Sequence, residues 1–354
     1  MPMASVNPEL VGKVLAEDLY SDAGVLLLPR RTVLTAAHVN SLRKQRITRV
    51  SIAEDLSEGN GEKISAQLLD KGGDREIVVC YLEAMEQTRR LFERVDIGQM
   101  PSLHEFCQAF QTLADQVGER LGLFRSLYVL EGADSYTYRH SLNVGILCTL
   151  IARLLKWDEE RISLMGAAGF LHDIGKTRVP REILLKPGKL TDEEFAEMKR
   201  HTVYGYEILK QMEDAHETLA ICALLHHERL DGSGYPDGRK DEQIPLECQV
   251  VAVADMFDAI CSDRVYKQRT SPFEAARMLW KEACDGLLNI EIVSPFVHYI
   301  AQLYVGAKAR LNNGEEVQVI LIHRDEPMRP LVRRQGEFVD LRNHRQLCID
   351  KMLG

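Results

Sequence analysis

A histidine followed directly by an aspartate is the feature of this 354-residue chain best suited to chemistry. The pair is His172-Asp173, within the stretch Phe170-Leu171-His172-Asp173-Ile174-Gly175-Lys176. An adjacent imidazole and carboxylate at a helix end can hold one metal ion and reach a second. Lys176 follows one turn after Asp173, so its ammonium group can contact a phosphoryl oxygen or hydroxide, or complement the dipole of the helix end. The pair alone is common in proteins, and its weight comes from the spacing of other ligand types.

Further residues of metal-ligand type are spread over the same part of the chain. Five of the eleven histidines belong to this set, which comprises His140, His172, Asp173, His201, His226, His227 and Asp255. Successive helical residues point about 100° apart, so an ordinary buried stripe would use only one of the two adjacent histidines. Nitrogen and oxygen ligands without sulfur suit iron, manganese or a similar divalent ion better than structural zinc. Two such ions, about 3.5–4 Å apart, would neutralise phosphoryl charge and supply hydroxide at neutral pH.

The double histidine is followed by Glu228-Arg229-Leu230-Asp231-Gly232-Ser233-Gly234-Tyr235-Pro236. With the ordered ligand set, this run resembles the HD-GYP subgroup of the HD metal-dependent phosphohydrolases, over about residues 125 to 305. HD-GYP proteins are phosphodiesterases of cyclic di-GMP. The resemblance therefore implies an all-helical core that hydrolyses this cyclic dinucleotide to linear pGpG by attack of a metal-bridging hydroxide. It does not decide whether cleavage continues to GMP.

The resemblance also implies a role for each ligand. Asp173 would bridge two divalent transition-metal ions, with iron or manganese expected. The first ion would be held by His140, His172 and Asp255, and the second by His201, His226 and His227. Family members with three metals carry Glu one helical turn before the first histidine, whereas Tyr136 stands there in this chain. A two-metal site is therefore expected.

Other residues are assigned to catalysis and substrate binding. Asp258 lies one helical turn beyond the last metal ligand, where it can accept a proton from the attacking water or be an ordinary surface acid. Arg264 and Lys267 match family positions that hold the ligand phosphate, although the family often has arginine where Lys267 stands. Gly234 and Tyr235 belong to the loop that would shape the substrate entrance. Taken singly, the two basic residues would pass for solvated charges.

Two rival functions stay open at this stage. The first is a non-catalytic receptor that keeps the fold and uses the GYP surface to bind a nucleotide or a protein signalling partner. The second is an HD hydrolase that acts on another nucleotide. The intact ligand set argues against the receptor, and the extended GYP loop argues against the second rival.

Composition limits the class of protein and its partners. A formal net charge of −9 disfavours a nucleic acid polymer, because binding to a polyanion needs clustered basic residues. No apolar run of 18 residues indicates a membrane span, and the first ten residues do not resemble a signal peptide. The eight cysteines are scattered without a C-x-x-C pair, which predicts reduced thiols and a cytoplasmic location.

Changes of pattern along the chain predict a mainly α protein in five parts. These are a small α+β N-terminal module (1–56), a linker (57–74), a helical connecting region (75–124), the HD-GYP domain (125–305) and a β-rich C-terminal appendage (306–354). Strands are expected at residues 12–20, 25–28, 49–52, 317–322, 331–333 and 338–341. The apolar face of the helix beginning at Arg75 suits packing or a homodimer.

Local signals predict where several helices begin and end. Capping-box patterns at residues 102–105 and 191–194 would start two helices, and Ser271-Pro272 would start a third. Gly175 is expected to end the His172 helix in the left-handed conformation. The run Gly166-Ala167-Ala168-Gly169 should allow neighbouring helices to approach closely.

Overall fold

A computed structural model describes residues 3–6, 10, 19–20, 26–28, 38–39, 42–43, 47–51, 75–117, 136–186, 188–212, 214–262 and 270–353. The predicted linker at residues 57–74 lies outside these ranges, as do Arg264 and Lys267. The chain divides into two compact units, Met1–Arg75 and Glu76–Gly354.

The described residues of the first unit include four short strands, β1 (Met3–Ser5), β2 (Leu19–Tyr20), β3 (Leu26–Leu28) and β4 (Arg49–Ser51). Strand β1 pairs antiparallel with β4, and β2 pairs antiparallel with β3. A small apolar core includes Val6, Leu10, Val39, Leu42 and Val50. In β4 the buried Val50 follows the exposed Arg49, which is the alternation expected of a strand with one face on a core. The strands β2, β3 and β4 fall within the predicted segments.

Helices dominate the second unit as far as residue 302, which confirms the predicted mainly α fold. In chain order they are α1 (Arg75–Asp96), α2 (Leu103–Val117), α3 (Tyr136–Leu154), α4 (Glu159–Leu171), α5 (Arg181–Leu184), α6 (Asp192–Lys199), α7 (His201–Lys210), α8 (Glu217–Leu225), α9 (Leu246–Cys261), α10 (Pro272–Cys284) and α11 (Ile290–Gln302). Two 3-10 helices span Ile174–Arg178 and Asp241–Gln243. Within the described ranges, no helix is long and apolar enough to cross a membrane.

Local capping chemistry starts three of these helices at the predicted places. Before α2, Ser102 and Glu105 exchange hydrogen bonds between side chain and main chain at 2.9 and 3.3 Å. The capping box of Thr191 and Glu194 opens α6. Ser271 caps α10, which has proline at its first position, where the missing N–H costs no hydrogen bond. These three predicted starts are confirmed. They could be predicted because each cap is made by residues three apart in sequence.

Small residues let α3 and α4 pack closely, as predicted. A Cβ at Gly166 would lie 2.7 Å from Oγ1 of Thr149, and one at Gly169 would lie 2.6 Å from Sγ of Cys148. Both partners belong to α3, so larger residues at either glycine would push the two helices apart. Helix α9 packs on both α3 and α4. The three helices together bring His140, the end of α4 and Asp255 into one cluster.

The conformation of Gly175 differs from the prediction. Helix α4 ends at Leu171, and Gly175 lies in the following 3-10 helix without a left-handed conformation. A Cβ on Gly175 would stand 2.0 Å from the carbonyl oxygen of His201 and 2.3 Å from the amide nitrogen of Gly205. Glycine is therefore required by close packing against α7. This packing sets the distance between Asp173 and His201.

A five-stranded antiparallel sheet completes the second unit. Its strands are β5 (Lys308–Leu311), β6 (Glu316–Leu321), β7 (Leu331–Arg334), β8 (Glu337–Asp340) and β9 (Ile349–Met352), in the order β8-β7-β6-β5-β9. The apolar face of the sheet shares a core with Phe273 of α10 and Ala301 of α11. Strands β6, β7 and β8 were predicted. Strands β5 and β9 were not, because their apolar residues are few and alternate with charged ones.

Candidate metal centre

Two groups of ligand atoms lie side by side where the helices converge. One consists of Asp173, His201, His226 and His227, and the other of His140, His172 and Asp255. Within each group the ligand atoms lie within 4.8 Å of one another. The ligands come from α3, α7, α9 and the residues directly after α4 and α8. All seven sequence-predicted ligands are thus brought together, in the predicted partition.

Asp173 lies between the two groups. Its Oδ1 is 3.3 Å from Nε2 of His201 and 3.8 Å from Nε2 of His226. Its Oδ2 is 3.5 Å from Nε2 of His140 and 3.4 Å from Nε2 of His172. One carboxylate oxygen therefore faces each group, which is the arrangement a bridging ligand needs.

Main-chain carbonyl groups fix the tautomers of three histidines. The Nδ1 atom donates to Gly169 at 2.6 Å in His172, to Met198 at 2.7 Å in His201 and to Ala223 at 3.0 Å in His226. A carbonyl oxygen can only accept, so each Nδ1 carries the proton. In each neutral ring the lone pair is then on Nε2, the atom that faces the cluster.

The donor set fits a divalent cation. The Nε2 atoms of His201 and His226 lie 3.4 Å apart, and both carry lone pairs in these tautomers. Nε2 of His172 and Oδ1 of Asp173 are buried and have no hydrogen-bond partner among the described residues. Buried polar atoms without partners are costly, and facing lone pairs repel. Positive charge between them would remove both costs.

Burial and neighbouring charges set the protonation of the ligands. Burial lowers the pKa of His201 to about 4 and that of His227 to about 3. It also holds the pKa of His226 well below its usual value. Burial alone would raise the pKa of Asp173, but Lys176 and the adjacent histidines hold it well below its ordinary range. At neutral pH the group of Asp173, His201, His226 and His227 therefore offers neutral imidazoles and an ionised carboxylate, the forms that bind metals.

The contacts of Asp258 differ from those expected of a residue that accepts a proton from the attacking water. Its side chain is fully buried, and Oδ2 accepts the Nδ1–H of His140 at 2.7 Å. Oδ1 accepts from Nδ2 of Asn143 at 2.9 Å. Because it accepts the Nδ1–H, Asp258 orients the imidazole of His140. Sequence reasoning missed Asn143, although it stands one helical turn after His140 and so shares its face.

Lys176 reaches the centre as an ion-pair partner. Its Nζ contacts Oδ2 of Asp173, and about a fifth of its side chain is exposed. The ammonium group therefore lies at the carboxylate of Asp173 on a side chain that is partly exposed. From there it can contact a phosphoryl oxygen, and this catalytic role stays a prediction.

The GYP loop lies against the ligand group that contains His201 and His227. The ring of Tyr235 lies 4.6 Å from the ring of His227. A Cβ on Gly234 would stand 2.4 Å from Cα of Glu228, so only glycine lets the loop fold back there. On α6, Lys199 has its Nζ 5.9 Å from the Tyr235 ring and 5.2 Å from the half-exposed ring of Phe195. Phe195 and Lys199 carry no motif, so the sequence did not single them out.

Glu228 holds the GYP loop from below. Its carboxylate is buried and accepts main-chain N–H groups of Asp237 at 2.8 Å, Gly238 at 3.0 Å and Arg239 at 3.1 Å. Three converging N–H donors stabilise the buried carboxylate of Glu228. This role was not predicted, because Glu228 next to two histidines resembles another ligand.

Replacing Glu228 by Gln should loosen the loop. The amide keeps one acceptor oxygen but turns an NH₂ group toward the N–H of Arg239, and an unsatisfied buried donor costs about 1–3 kcal/mol. We expect faster hydrogen exchange over residues 231–240 and weaker substrate binding, with metal content retained. Asp237→Asn is the matched control, because that exposed carboxylate contacts only Arg239 in the same loop. Unchanged exchange in Glu228→Gln would contradict the assigned role.

Three residues singled out from the sequence have no described side chain. Arg264 and Lys267 lie outside the described ranges. Tyr136 begins α3, but only its main chain is described. Their roles in phosphate binding and in limiting the site to two metals therefore stay predictions.

The helical core gathers histidines and aspartates around Asp173 in an arrangement that could hold metal ions. Residues 128–288 match the family model for the HD domain. A cyclic di-GMP phosphodiesterase of Pseudomonas aeruginosa is 40% identical over 210 residues, covering 59% of this chain and 50% of that protein. A 3'3'-cGAMP-specific phosphodiesterase of Vibrio cholerae is 35% identical over 176 residues, covering 50% of this chain and 41% of that protein.

A solved structure of an HDG"Y"P protein from Bdellovibrio bacteriovorus has the same fold, with a TM-score of 0.53 at 15% identity. That alignment covers 84% of this chain and 98% of the other. Residues 128–288 therefore contain an HD domain, which confirms the family resemblance that the motifs predicted. It spans about half the length of the curated relatives that it matches.

Proposed function

We propose that this protein is a metal-dependent phosphodiesterase that hydrolyses cyclic di-GMP to linear pGpG. The observation that carries the proposal is the bridging position of Asp173 between two histidine-rich groups, directly beside the GYP loop. The names of similar proteins that act on cyclic dinucleotides support the choice of substrate class.

The proposed cofactors are two divalent transition-metal ions, with iron or manganese favoured by a nitrogen and oxygen donor set without sulfur. His140, His172 and Asp255 would hold one, His201, His226 and His227 the other, and Asp173 both. Bound there, the ions would supply a nucleophilic water at neutral pH and neutralise phosphoryl charge. By accepting a hydrogen bond from Nδ1 of His140, Asp258 would orient that imidazole as a ligand.

The remaining residues bind and orient the substrate. Lys176 supplies a cation at the bridging carboxylate, where it can contact a phosphoryl oxygen. Tyr235 and the half-exposed Phe195 offer aromatic faces for nucleobases. Arg264 and Lys267 are assigned to the ligand phosphate, because charge-assisted contacts are the strongest that a phosphate can make.

The stacking role of Tyr235 gives a prediction. Tyr235→Ala should raise the KM for the cyclic dinucleotide by the equivalent of about 1–3 kcal/mol, because base–aromatic stacking is lost. Tyr235→Phe keeps the ring and should retain most of the affinity. Elemental analysis should find the same metal content in both variants. An unchanged KM in Tyr235→Ala would show that the ring of Tyr235 does not contact the substrate.

A panel assay tests the proposed activity against its rivals. Protein loaded with Fe²⁺ or Mn²⁺ is incubated with cyclic di-GMP, 3'3'-cGAMP, cyclic di-AMP and mononucleotides, and the products are separated. We expect cyclic di-GMP to be cleaved fastest and pGpG to accumulate first. Preference for 3'3'-cGAMP would change the substrate, and tight binding without cleavage would favour a receptor.

We also propose the five-part domain division, a homodimer through α1 and protein signalling partners at the GYP loop. A cytoplasmic location is proposed as well, because all eight cysteines are free thiols.

A further inference from the structure

A continuous line of hydrogen bonds joins α1 to a metal ligand. The hydroxyl of Tyr81 lies 2.8 Å from Oδ1 of Asn143, and Nδ2 of Asn143 lies 2.9 Å from Oδ1 of Asp258. Oδ2 of Asp258 lies 2.7 Å from Nδ1 of His140. All four residues are buried, with relative exposures between 0% and 3%. Each bond is therefore shielded from competing water.

The chemistry of the groups fixes the direction of every bond in this line. Nδ2 of Asn143 donates to Oδ1 of Asp258, so the NH₂ group of Asn143 faces this carboxyl group. The amide oxygen of Asn143 then faces Tyr81, and an oxygen can only accept the phenolic hydrogen. Removing that hydroxyl would leave a buried amide oxygen without its donor and free the amide to rotate.

The position of Tyr81 depends on how α1 packs. Phe92, on the same helix, makes edge contacts with Phe106 of α2, Tyr138 of α3 and Phe170 of α4 at centroid distances of 6.0, 5.8 and 6.2 Å. Phe170 directly precedes the Leu171-His172-Asp173 segment of the centre. Helix α1 begins at Arg75 and precedes the matched HD segment, so its hydrogen bond to Asn143 is an addition to that domain.

We infer that Tyr81 is a positioning residue for the metal ligand His140 and that it acts through Asn143 and Asp258. The connecting helix thereby sets the geometry of the His140, His172 and Asp255 group from outside the HD domain. A hydrogen bond weakens steeply once it is lengthened or misaligned, so a small shift of α1 would be felt at His140. The inference rests on the proposed metal centre but not on the identity of the substrate.

Tyr81→Phe tests the inference, because it removes one hydroxyl and keeps the buried ring. Crystals of the variant are soaked in limiting Mn²⁺, and anomalous diffraction gives the occupancy of each ligand group separately. We expect the affinity of the His140, His172 and Asp255 group to fall about tenfold, the low end of the effect of losing an outer hydrogen-bond partner. The group containing His201 should be unaffected.

Tyr138→Phe is the matched control. Tyr138 is a partly buried tyrosine on the helix of His140, and its ring also packs on Phe92. Its hydroxyl does not belong to the line of bonds, so we expect wild-type occupancy at both groups. An equal loss in this control would assign the effect to packing and overturn the inference.

A second variant separates transmission from simple destabilisation. If Tyr81 acts through Asn143, Tyr81→Phe should add no further loss in an Asn143→Leu background, since interacting residues are not additive. Additive losses, an equal loss at both groups, or a lower melting temperature with unchanged Mn²⁺ affinity would each overturn the inference. Mn²⁺ is the only probe, so these results do not depend on whether cyclic di-GMP is hydrolysed.

Discussion

Replacing Asp173 by Asn is expected to abolish hydrolysis and to release at least one metal ion. The carboxylate directs one oxygen at each ligand group, whereas an amide has one acceptor oxygen and turns an NH₂ group toward the other group. Two bound ions supply several kcal/mol of charge stabilisation in the reaction, so turnover should fall by about 10³-fold or more. The side chain keeps its shape, which separates loss of charge from loss of packing.

Asp285→Asn is the control for this change. Asp285 also pairs with a lysine, Lys281, but both side chains are largely exposed, and such pairs contribute little to stability. Its metal content and turnover should match those of the wild-type protein. Elemental analysis and initial rates on cyclic di-GMP make the comparison. Two full equivalents of metal in Asp173→Asn would show that Asp173 does not bridge.

The metal ligands were predictable because their chemistry is rare and their order is fixed. Histidines and aspartates spread from residue 140 to residue 255 are each unremarkable alone. The double histidine and the following GYP run gave them a common context, and the helices then brought all seven side chains together. The starts of α2, α6 and α10 were predictable for a different reason. Capping depends on residues three apart, which no tertiary contact needs to position.

The supporting residues were hidden because their roles depend on contacts far apart in sequence. Tyr81 and Asn143 meet across 62 positions, and Asn143 and Asp258 across 115. The apolar face predicted for α1 could not show what the hydroxyl of Tyr81 contacts. Asp258 was assigned to the attacking water from helical spacing alone. Helical spacing gave the face on which Asp258 lies, but it could not show the hydrogen bonds of Asp258 to His140 and Asn143.

A glycine is needed at position 175, but for a different reason from the one predicted. Glycine after a helix usually indicates the left-handed conformation, and that conformation also tolerates asparagine. In the structure Gly175 is needed because the 3-10 helix presses on α7 at Gly205. The two explanations predict different results for the same substitutions.

Gly175→Ala is therefore expected to be severe, and Gly175→Asn at least as severe. The new Cβ would lie 2.0 Å from the main-chain oxygen of His201, an atom that cannot move without moving α7. Overpacking a well-filled site costs about 1–3 kcal/mol and more where main chain must shift. Because the shift separates Asp173 from His201, the second ligand group should also lose metal affinity.

Gly205→Ala provides the comparison on the other side of the same contact. Its Cβ would meet the methyl group of Ala223 at 3.1 Å, which a few tenths of an ångström of adjustment can relieve, so its effect should be smaller. Thermal unfolding of the metal-free proteins measures the stability change, and Mn²⁺ titration measures the change at the site. Wild-type stability in Gly175→Asn would restore the left-handed explanation. Loss of both stability and metal in Gly175→Ala, with a mild effect in Gly205→Ala, would establish that close main-chain packing sets the spacing of Asp173 and His201.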